Sequence, residues 1–229
     1  MADNETHYLR NFEDQLYDAV YMLYFSLDID QDNYKDDVIR PHVRASVINT
    51  CLLLEYGANC LIETLDLPKQ FFDDIDKMPF LSKFEFFLNK VNPSQKFDRG
   101  ALVVQRVKEL KTIRDSYVHQ KVKKSKYEII SSTVSEADYG CTEQLKFPRA
   151  PKKWRSEHAV SALKAVNDFY NEYLLNWCAL NTQQTVDLLL GSKKADLANP
   201  IGAQIDFVGG LGRAVTEWGI DFKFIGKNV

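Results

Sequence analysis

Long apolar runs, CxxC pairs and zinc-type ligand spacings are all missing from this 229-residue sequence. No stretch of eighteen apolar residues is present, so the sequence predicts no transmembrane helix. The acidic start, Met-Ala-Asp-Asn-Glu-Thr, lacks the basic and apolar parts of a secretory signal, which favours a cytoplasmic protein. The four cysteines have no histidine at metal-ligand spacing, so they indicate buried or incidental thiols and no metal site.

Glycine-rich phosphate loops are missing as well. Gly210-Leu211-Gly212 resembles one only superficially, because it lacks a third glycine and a surrounding strand-to-helix unit. The sequence therefore predicts no cofactor.

The charges of the chain are unevenly placed, although the net charge is only −3 at pH 7. Residues 106–155 contain thirteen Lys and Arg against six Asp and Glu, a local net charge of +7 that leaves −10 for the rest. A basic block of this kind indicates that a polyanion binds nearby. An ordinary solvated surface is an equal alternative.

Apolar residues recur every three or four positions over most of the chain, which indicates amphipathic helices. The hydrophobic content of 45% is enough for the core of one large domain. The predicted fold class is all-α, with a bundle of four to five helices. Helices are predicted at 6–27, 40–65, 69–76, 80–91, 98–126 and 156–180, and an extension of the last helix to 190 is left open.

Two segments depart from this helical pattern. Residues 127–134 are rich in β-branched side chains and predict a strand, and Pro148 and Pro151 favour an extended segment at 146–155. We therefore predict a small hairpin-like insertion at 127–155, before the last long helix of a bundle formed by residues 1–190. Residues 191–229 are predicted to form a glycine-rich C-terminal appendage with a short helix at 208–218 and a short strand at 221–225.

The stretch Arg114-Asp115-Ser116-Tyr117-Val118-His119 lies near the end of the fifth predicted helix. At about 100° per residue, Arg114 falls within the apolar stripe, so its guanidinium must be paired or must face a cleft or a partner chain. Asp115 and His119 are four residues apart on another face, close enough for the carboxylate and the imidazole to touch.

This stretch resembles the signature of the HEPN superfamily: an arginine, then Asn, Asp or His, then three or more variable positions, then a histidine near the end of a bundle helix. Arg114, Asp115 and His119 match its three fixed positions. The resemblance implies a homodimer of helical bundles whose two motifs line a shared cleft. It also implies a metal-independent endoribonuclease that leaves a 2′,3′-cyclic phosphate and a 5′-hydroxyl. Arg114 and His119 would be the catalytic pair, with Asp115 as their polar support.

Members of this superfamily serve in toxin–antitoxin, phage-defence and RNA-processing systems. The resemblance therefore implies an RNA substrate and an antitoxin or other regulatory protein as partners. The basic residues beyond the motif are candidates for RNA binding, with cations on phosphates and a ring under a base. A loop whose lysines only keep the chain soluble is an equal alternative. The candidates are Lys121, Lys123, Lys124, Lys126, Lys152, Lys153, Trp154 and Arg155.

Two other functions fit the same residues. In a non-catalytic interaction module, Arg114 and Asp115 would anchor a dimer through salt bridges, and His119 would cap a helix. In an RNA-binding protein without catalysis, the basic block would act alone.

Overall fold

The computed structural model describes residues 6–28, 36–119, 126–129, 135–201, 205 and 209–226, with only the backbone described at 36, 126–129 and 135–138. These residues form a helical bundle, which confirms the predicted all-α class. A single two-stranded hairpin interrupts the helices within the described part of the chain. The elements are α1 (Phe12–Asp28), α2 (Asp36–Glu63), α3 (Lys69–Asp76), α4 (Phe80–Val91), α5 (Leu102–Val118), β1 (Lys126–Ile129), β2 (Ser135–Asp138), α6 (Ser156–Tyr170), α7 (Thr182–Leu190) and α8 (Gly209–Thr216).

Proline sets two of the helix starts at their predicted positions. Pro68 and Pro79 each stand immediately before a helix, and α3 and α4 have the predicted bounds. Proline has no N–H and a fixed φ, so it suits the beginning of a helix and not its interior. The start of α2 was predicted near 40, but the helix begins at Asp36, and Pro41 therefore lies inside it.

Residues 6–11, before α1, are not helical, so the predicted start at residue 6 is wrong. The Tyr8 N–H donates to the Ser192 carbonyl over 2.8 Å. The buried Arg10 guanidinium donates to the Lys193 carbonyl over 2.8 Å and to Glu63 over 2.6 Å. These long-range bonds hold the segment against the residues that follow α7. If the segment were helical, its backbone N–H groups would donate within the helix and could not make such bonds.

Helix α2 is the centre of the bundle. It packs against α1, α3, α4, α5, α6 and α7. From Asp37 to Glu63 it is long and apolar enough to cross a membrane by length and composition alone. However, 61% of its most apolar window is buried within the fold, as expected for a core helix.

Aromatic rings fill the space between α2, α4 and the last long helix. The Phe84 ring lies 4.9 Å from Phe169 and 4.8 Å from Tyr173 between centroids, both edge to face. The two buried tyrosine hydroxyls find backbone acceptors: Tyr170 donates to the Leu53 carbonyl and Tyr173 to the Phe84 carbonyl, each over 2.6 Å. These bonds satisfy the only polar atoms of the two side chains.

The last long helix ends earlier than predicted. α6 continues as a π-helical stretch from Asn171 to Trp177, and Ala179 then takes a left-handed conformation with φ 54°. Asn181 caps α7: its side chain accepts from the Gln184 N–H over 2.9 Å, and Gln184 accepts from the Asn181 N–H over 2.8 Å. An Asn followed three residues later by Gln is the pattern of a capping box, which marks the start of a new helix. The prediction followed the apolar stripe and did not use this pattern.

The inserted segment contains the predicted hairpin. β1 pairs with β2 in antiparallel register, with Lys126 opposite Asp138 and Ile129 opposite Ser135. Of the strand predicted at 127–134, residues 127–129 belong to β1, and residues 130–134 lie outside the described residues. The 146–155 segment is not extended throughout, because Pro151–Lys153 forms one turn of 3₁₀ helix.

The C-terminal appendage packs into the core of the bundle. The Phe224 ring stacks on Tyr170 at 5.0 Å between centroids. The Asn167 and Asn171 side chains of the last long helix accept from the N–H groups of Phe222 and Phe224 over 3.0 and 2.9 Å. The strand predicted at 221–225 is wrong: a 3₁₀ turn forms there, preceded by Phe222 with φ 46°. Asparagine side chains replace a strand partner as the acceptors.

Gly57 tests the packing of α2 on the last long helix. A Cβ added there would lie 2.0 Å from the Tyr170 hydroxyl oxygen and 2.8 Å from its Cζ. In a solvated helix, glycine to alanine stabilises by up to about 1 kcal/mol. We expect Gly57→Ala instead to lower the free energy of unfolding by roughly 1–3 kcal/mol, because overpacking displaces the ring. Urea denaturation measures this change.

The matched background is Tyr170→Phe, which removes the hydroxyl oxygen. The cost of Gly57→Ala is expected to be smaller there, because the nearest atom is gone. An equal cost in both backgrounds would contradict this contact.

Candidate functional site

The candidate motif lies at the C-terminal end of α5, which stops earlier than predicted. Val118 is its last residue, and the N–H of His119 closes the helix by donating to the Asp115 carbonyl over 2.9 Å. Among the described residues, the next apolar side chain after Tyr117, that of Val118, is exposed, so packing no longer supports the helix. Of the apolar stripe predicted at Val103, Val107, Leu110, Ile113 and Tyr117, the middle three residues are buried and Val103 and Tyr117 are partly buried, while Val104 is buried without having been predicted.

Arg114 is paired, as its place in the apolar stripe requires. Its Nη2 group donates to the Glu55 carboxylate of α2, and its Nε lies 3.4 Å from the Asp115 carboxylate. Asp115 also accepts from Lys111, so four alternating charges link α2 to α5. The Arg114 side chain is 17% exposed. Two carboxylates therefore fix the orientation of the guanidinium while part of it faces solvent.

Cys51 lies beneath this charge network and is not a nucleophile. Its thiol donates to the Leu110 carbonyl over 3.5 Å. Burial raises the pKa of the thiol to about 12, and the nearby Arg114 lowers the pKa only in part. A thiol that stays protonated near neutral pH is unreactive, so Cys51 contributes packing alone.

His119 lies on the open surface at the end of α5. Its neighbour Val118 is 54% exposed, and the described residues offer the imidazole no hydrogen-bond partner. The predicted contact between the Asp115 carboxylate and the imidazole is not made, because Lys111 and Arg114 hold that carboxylate. Within one chain, His119 meets Asp115 through the backbone only.

The prediction that Trp154 binds RNA is wrong, because the residue is buried. Its ring is 1% exposed and packs against Tyr117 at 5.6 Å and Phe147 at 5.4 Å between centroids. Its indole N–H donates to the Pro148 carbonyl over 2.8 Å. The ring therefore offers no free face to a base. The aromatic and basic residues of this stretch alternate between core and surface, a distinction that composition alone does not reveal.

The buried Trp154 places a basic turn beside the motif. Because it packs on Tyr117, two residues before His119, its neighbours Lys152, Lys153 and Arg155 lie close to the end of α5. Lys152 and Arg155 are exposed, and Lys153 is half-buried. Of the other predicted RNA-binding residues, Lys126 begins β1, while Lys121, Lys123 and Lys124 lie outside the described residues.

Glu109 ties the inserted segment to α5. Its carboxylate accepts from three consecutive N–H groups, those of Glu143, Gln144 and Leu145, over 2.8, 2.7 and 2.9 Å. Burial raises the pKa of Glu109, but these donors outweigh burial and hold the pKa below its usual value. The insertion is thus anchored one to two turns before the motif.

Glu55 and Lys111 are the members of the site that the sequence analysis did not include. Glu55 is the only charged residue between Arg44 and Glu63 in the apolar part of α2, and that isolation is a usable signal for an ion-pair partner. Lys111 precedes Asp115 by four residues, the spacing of helical ion pairs. Over the described residues, no group of three or more His, Cys, Asp and Glu could hold a metal ion.

Comparisons with protein-family models, with curated proteins and with solved structures found no match to this chain.

The Glu109 anchor predicts a pH dependence of stability. A carboxyl whose pKa is lowered on folding stabilises the fold above its unfolded pKa, near 4.5, and loses this contribution as the pH falls through the folded value. We expect Glu109→Gln to lower the free energy of unfolding at pH 7 by about 1 kcal/mol. The difference from the parent should shrink as the pH falls from 5 towards 4, in urea titrations.

Glu143→Gln is the control, because it makes the same charge change on an exposed side chain. A difference between parent and Glu109→Gln that stays constant from pH 7 to 4 would contradict a role for the charged carboxylate.

Proposed function

We propose that this chain is a HEPN-type, metal-independent endoribonuclease that acts as a homodimer, with Arg114 and His119 as its catalytic pair. The observation that carries the proposal is the arrangement at the end of α5. Glu55 and Asp115 orient the Arg114 guanidinium through Nη2 and Nε, and its Nη1 group makes no hydrogen bond to the described residues. A solvent-exposed imidazole follows five residues later, at His119.

The proposed chemistry uses the nucleophile that RNA carries, its 2′-hydroxyl. Cleavage requires a base that removes the hydroxyl proton, an acid for the departing 5′-oxygen, and a cation for the charge that develops on the phosphate. Histidine suits the proton transfers because its ordinary pKa is about 6.5. Arginine suits the phosphate because its N–H groups match two oxygens. The products are a 2′,3′-cyclic phosphate and a 5′-hydroxyl.

A second copy of the chain supplies what one helix lacks. Residues five apart leave a helix about 140° apart, and Arg114 is held towards α2 whereas His119 stands beyond the helix end. One phosphate therefore meets both groups most easily where two α5 ends come together. The basic turn with Lys152 and Arg155 lies at this end and would hold the flanking phosphates.

The second candidate is a non-catalytic interaction module, and one observation favours it. Arg114 already has two carboxylate partners within its own chain, so the arginine has a structural role without any substrate. In that case RNA binding, if any, would arise from the basic turn alone. Only the endoribonuclease would be toxic to a cell and would require a neutralising partner protein.

Replacing the imidazole tests catalysis directly. His119→Ala is expected to reduce RNA cleavage by at least about a hundredfold, the usual contribution of general acid–base catalysis. The parent should cleave mixed RNA in EDTA and leave cyclic phosphate ends, which end-group analysis identifies. His7→Ala, an exposed histidine away from α5, is the control. Cleavage by His119→Ala at the parental rate, with both variants folded, excludes His119 as a catalytic residue and with it the proposed mechanism.

Mixing two inactive variants tests whether the site is shared. A heterodimer of Arg114→Ala and His119→Ala retains one guanidinium and one imidazole, from opposite chains. If both motifs act on one phosphate, the mixture should recover a measurable fraction of the parental cleavage rate, whereas each variant alone remains inactive. No recovery, with subunit exchange demonstrated by light scattering and cross-linking, contradicts a site shared between the two chains.

A further inference from the structure

A polar groove runs between α5, α6 and the turn at 144–145, away from the Asp115 face of α5. Its volume is about 360 Å³. This is within the range of pockets that bind small organic ligands. Its charged and polar lining comprises Arg106, Gln144, Glu157, Ser161, Lys164 and Asp168.

Arg106 is poorly satisfied by its own chain. Its Nε is buried and has no hydrogen-bond partner among the described residues. Its one ion pair within the described part of the chain joins Nη1 to the Asp168 carboxylate over 3.4 Å, long for a charge-assisted bond. Because a buried, unsatisfied donor destabilises the fold, additional oxygen acceptors at this guanidinium would be favourable.

The other charged side chains of the groove also lack close ion-pair partners within the groove. Burial raises the pKa of Asp168, and Arg106 opposes this only in part. Lys164 lies one turn before Asp168 on α6 and is exposed. The Glu157 side chain is 73% exposed at the other end of the groove, so that water screens its charge. Two cations thus flank one carboxylate that neither binds closely.

We propose that this groove binds a phosphate monoester, held by Arg106 and Lys164, and that Asp168 releases Arg106 when the ligand arrives. A monoester carries close to two negative charges at pH 7 and can neutralise both cations. The arginine offers paired N–H groups to two oxygens, and the lysine adds a mobile point charge. A carboxylate ligand, with one charge, would leave one cation uncompensated.

The monoester has two possible sources, a free mononucleotide or the phosphorylated end of an RNA strand. Arg106 precedes Arg114 by eight residues, about 12 Å along α5. An RNA end in the groove could therefore belong to a strand that reaches the motif, an assignment that rests on the proposed ribonuclease function. Binding of the free mononucleotide does not depend on that function.

Calorimetric titration of the full chain in phosphate-free buffer tests the proposal. The probes are adenosine 5′-monophosphate, acetate, and a 2′-O-methyl RNA octamer with or without a 5′-phosphate. The 2′-O-methyl strand cannot be cleaved by 2′-hydroxyl attack, so the readout is independent of the ribonuclease. We expect the monophosphate to bind and acetate to bind at least about tenfold more weakly. Tighter binding of the phosphorylated octamer than of the mononucleotide identifies an RNA end, and the reverse identifies the mononucleotide.

Three substitutions assign the binding to the groove. Arg106→Gln is expected to weaken binding of the monophosphate about tenfold, and Lys164→Gln, at an exposed position, about threefold. Asp168→Asn should strengthen it several-fold, because it removes both the competing acceptor and a repulsive charge. Lys108→Gln is the control: it removes one positive charge from α5, outside the groove, at a lysine that bonds to the Arg99 carbonyl.

Several results would overturn the proposal. These are an equal loss of affinity in Lys108→Gln and Arg106→Gln, weaker or unchanged binding in Asp168→Asn, and binding of adenosine 5′-monophosphate that is no tighter than that of acetate. If Arg106→Gln does not fold, Arg106→Lys keeps the charge without the paired donors and should still bind more weakly. The Asp168→Asn result decides the matter in either case.

Discussion

A guanidinium within an apolar helix stripe is the constraint around which the motif end of this bundle is arranged. Arg114 has no tolerable position in the core without a carboxylate, and α2 supplies one at Glu55, in the middle of its apolar stretch. The ion pair connects α2 to α5. It also determines which way the guanidinium points. Stability and any phosphate chemistry therefore depend on the same contact.

The rest of the fold leaves that end of α5 accessible. α2 is surrounded by other helices, and the rings of Phe84, Tyr170 and Phe224 fill the opposite side of the bundle. The C-terminal segment completes this aromatic core through bonds from Asn167 and Asn171. At the motif, by contrast, the apolar stripe runs out after Tyr117, and His119 remains in solvent. Because α5 ends where its contacts with the core end, its last residues are exposed to solvent.

The two surfaces of α5 differ in how their charges are satisfied. On the α2 side, Arg114 pairs closely with Glu55 and Lys111 pairs closely with Asp115. On the α6 side, the Arg106 and Asp168 side chains are 3.4 Å apart, and the Arg106 Nε–H has no partner among the described residues. Charges that are already paired at short range gain little free energy from a ligand. Loosely paired charges gain more when a ligand supplies a closer partner. For this reason we assign a separate ligand to the α6 side.

Local patterns in the sequence decided the helical class, the bounds of α3 and α4, and the pairing requirement of Arg114, because periodicity, proline and the cost of a buried charge act over a few residues. They also led to the Arg114-to-His119 motif. Tertiary structure alone decided that Glu55 would be the partner, that Trp154 would be buried on Tyr117, and that Asn167 and Asn171 would turn a predicted strand at 221–225 into a 3₁₀ turn. Each of these contacts joins residues more than thirty positions apart in the chain. These contacts form only when the helices pack, and the spacing of neighbouring residues in the sequence does not predict that packing.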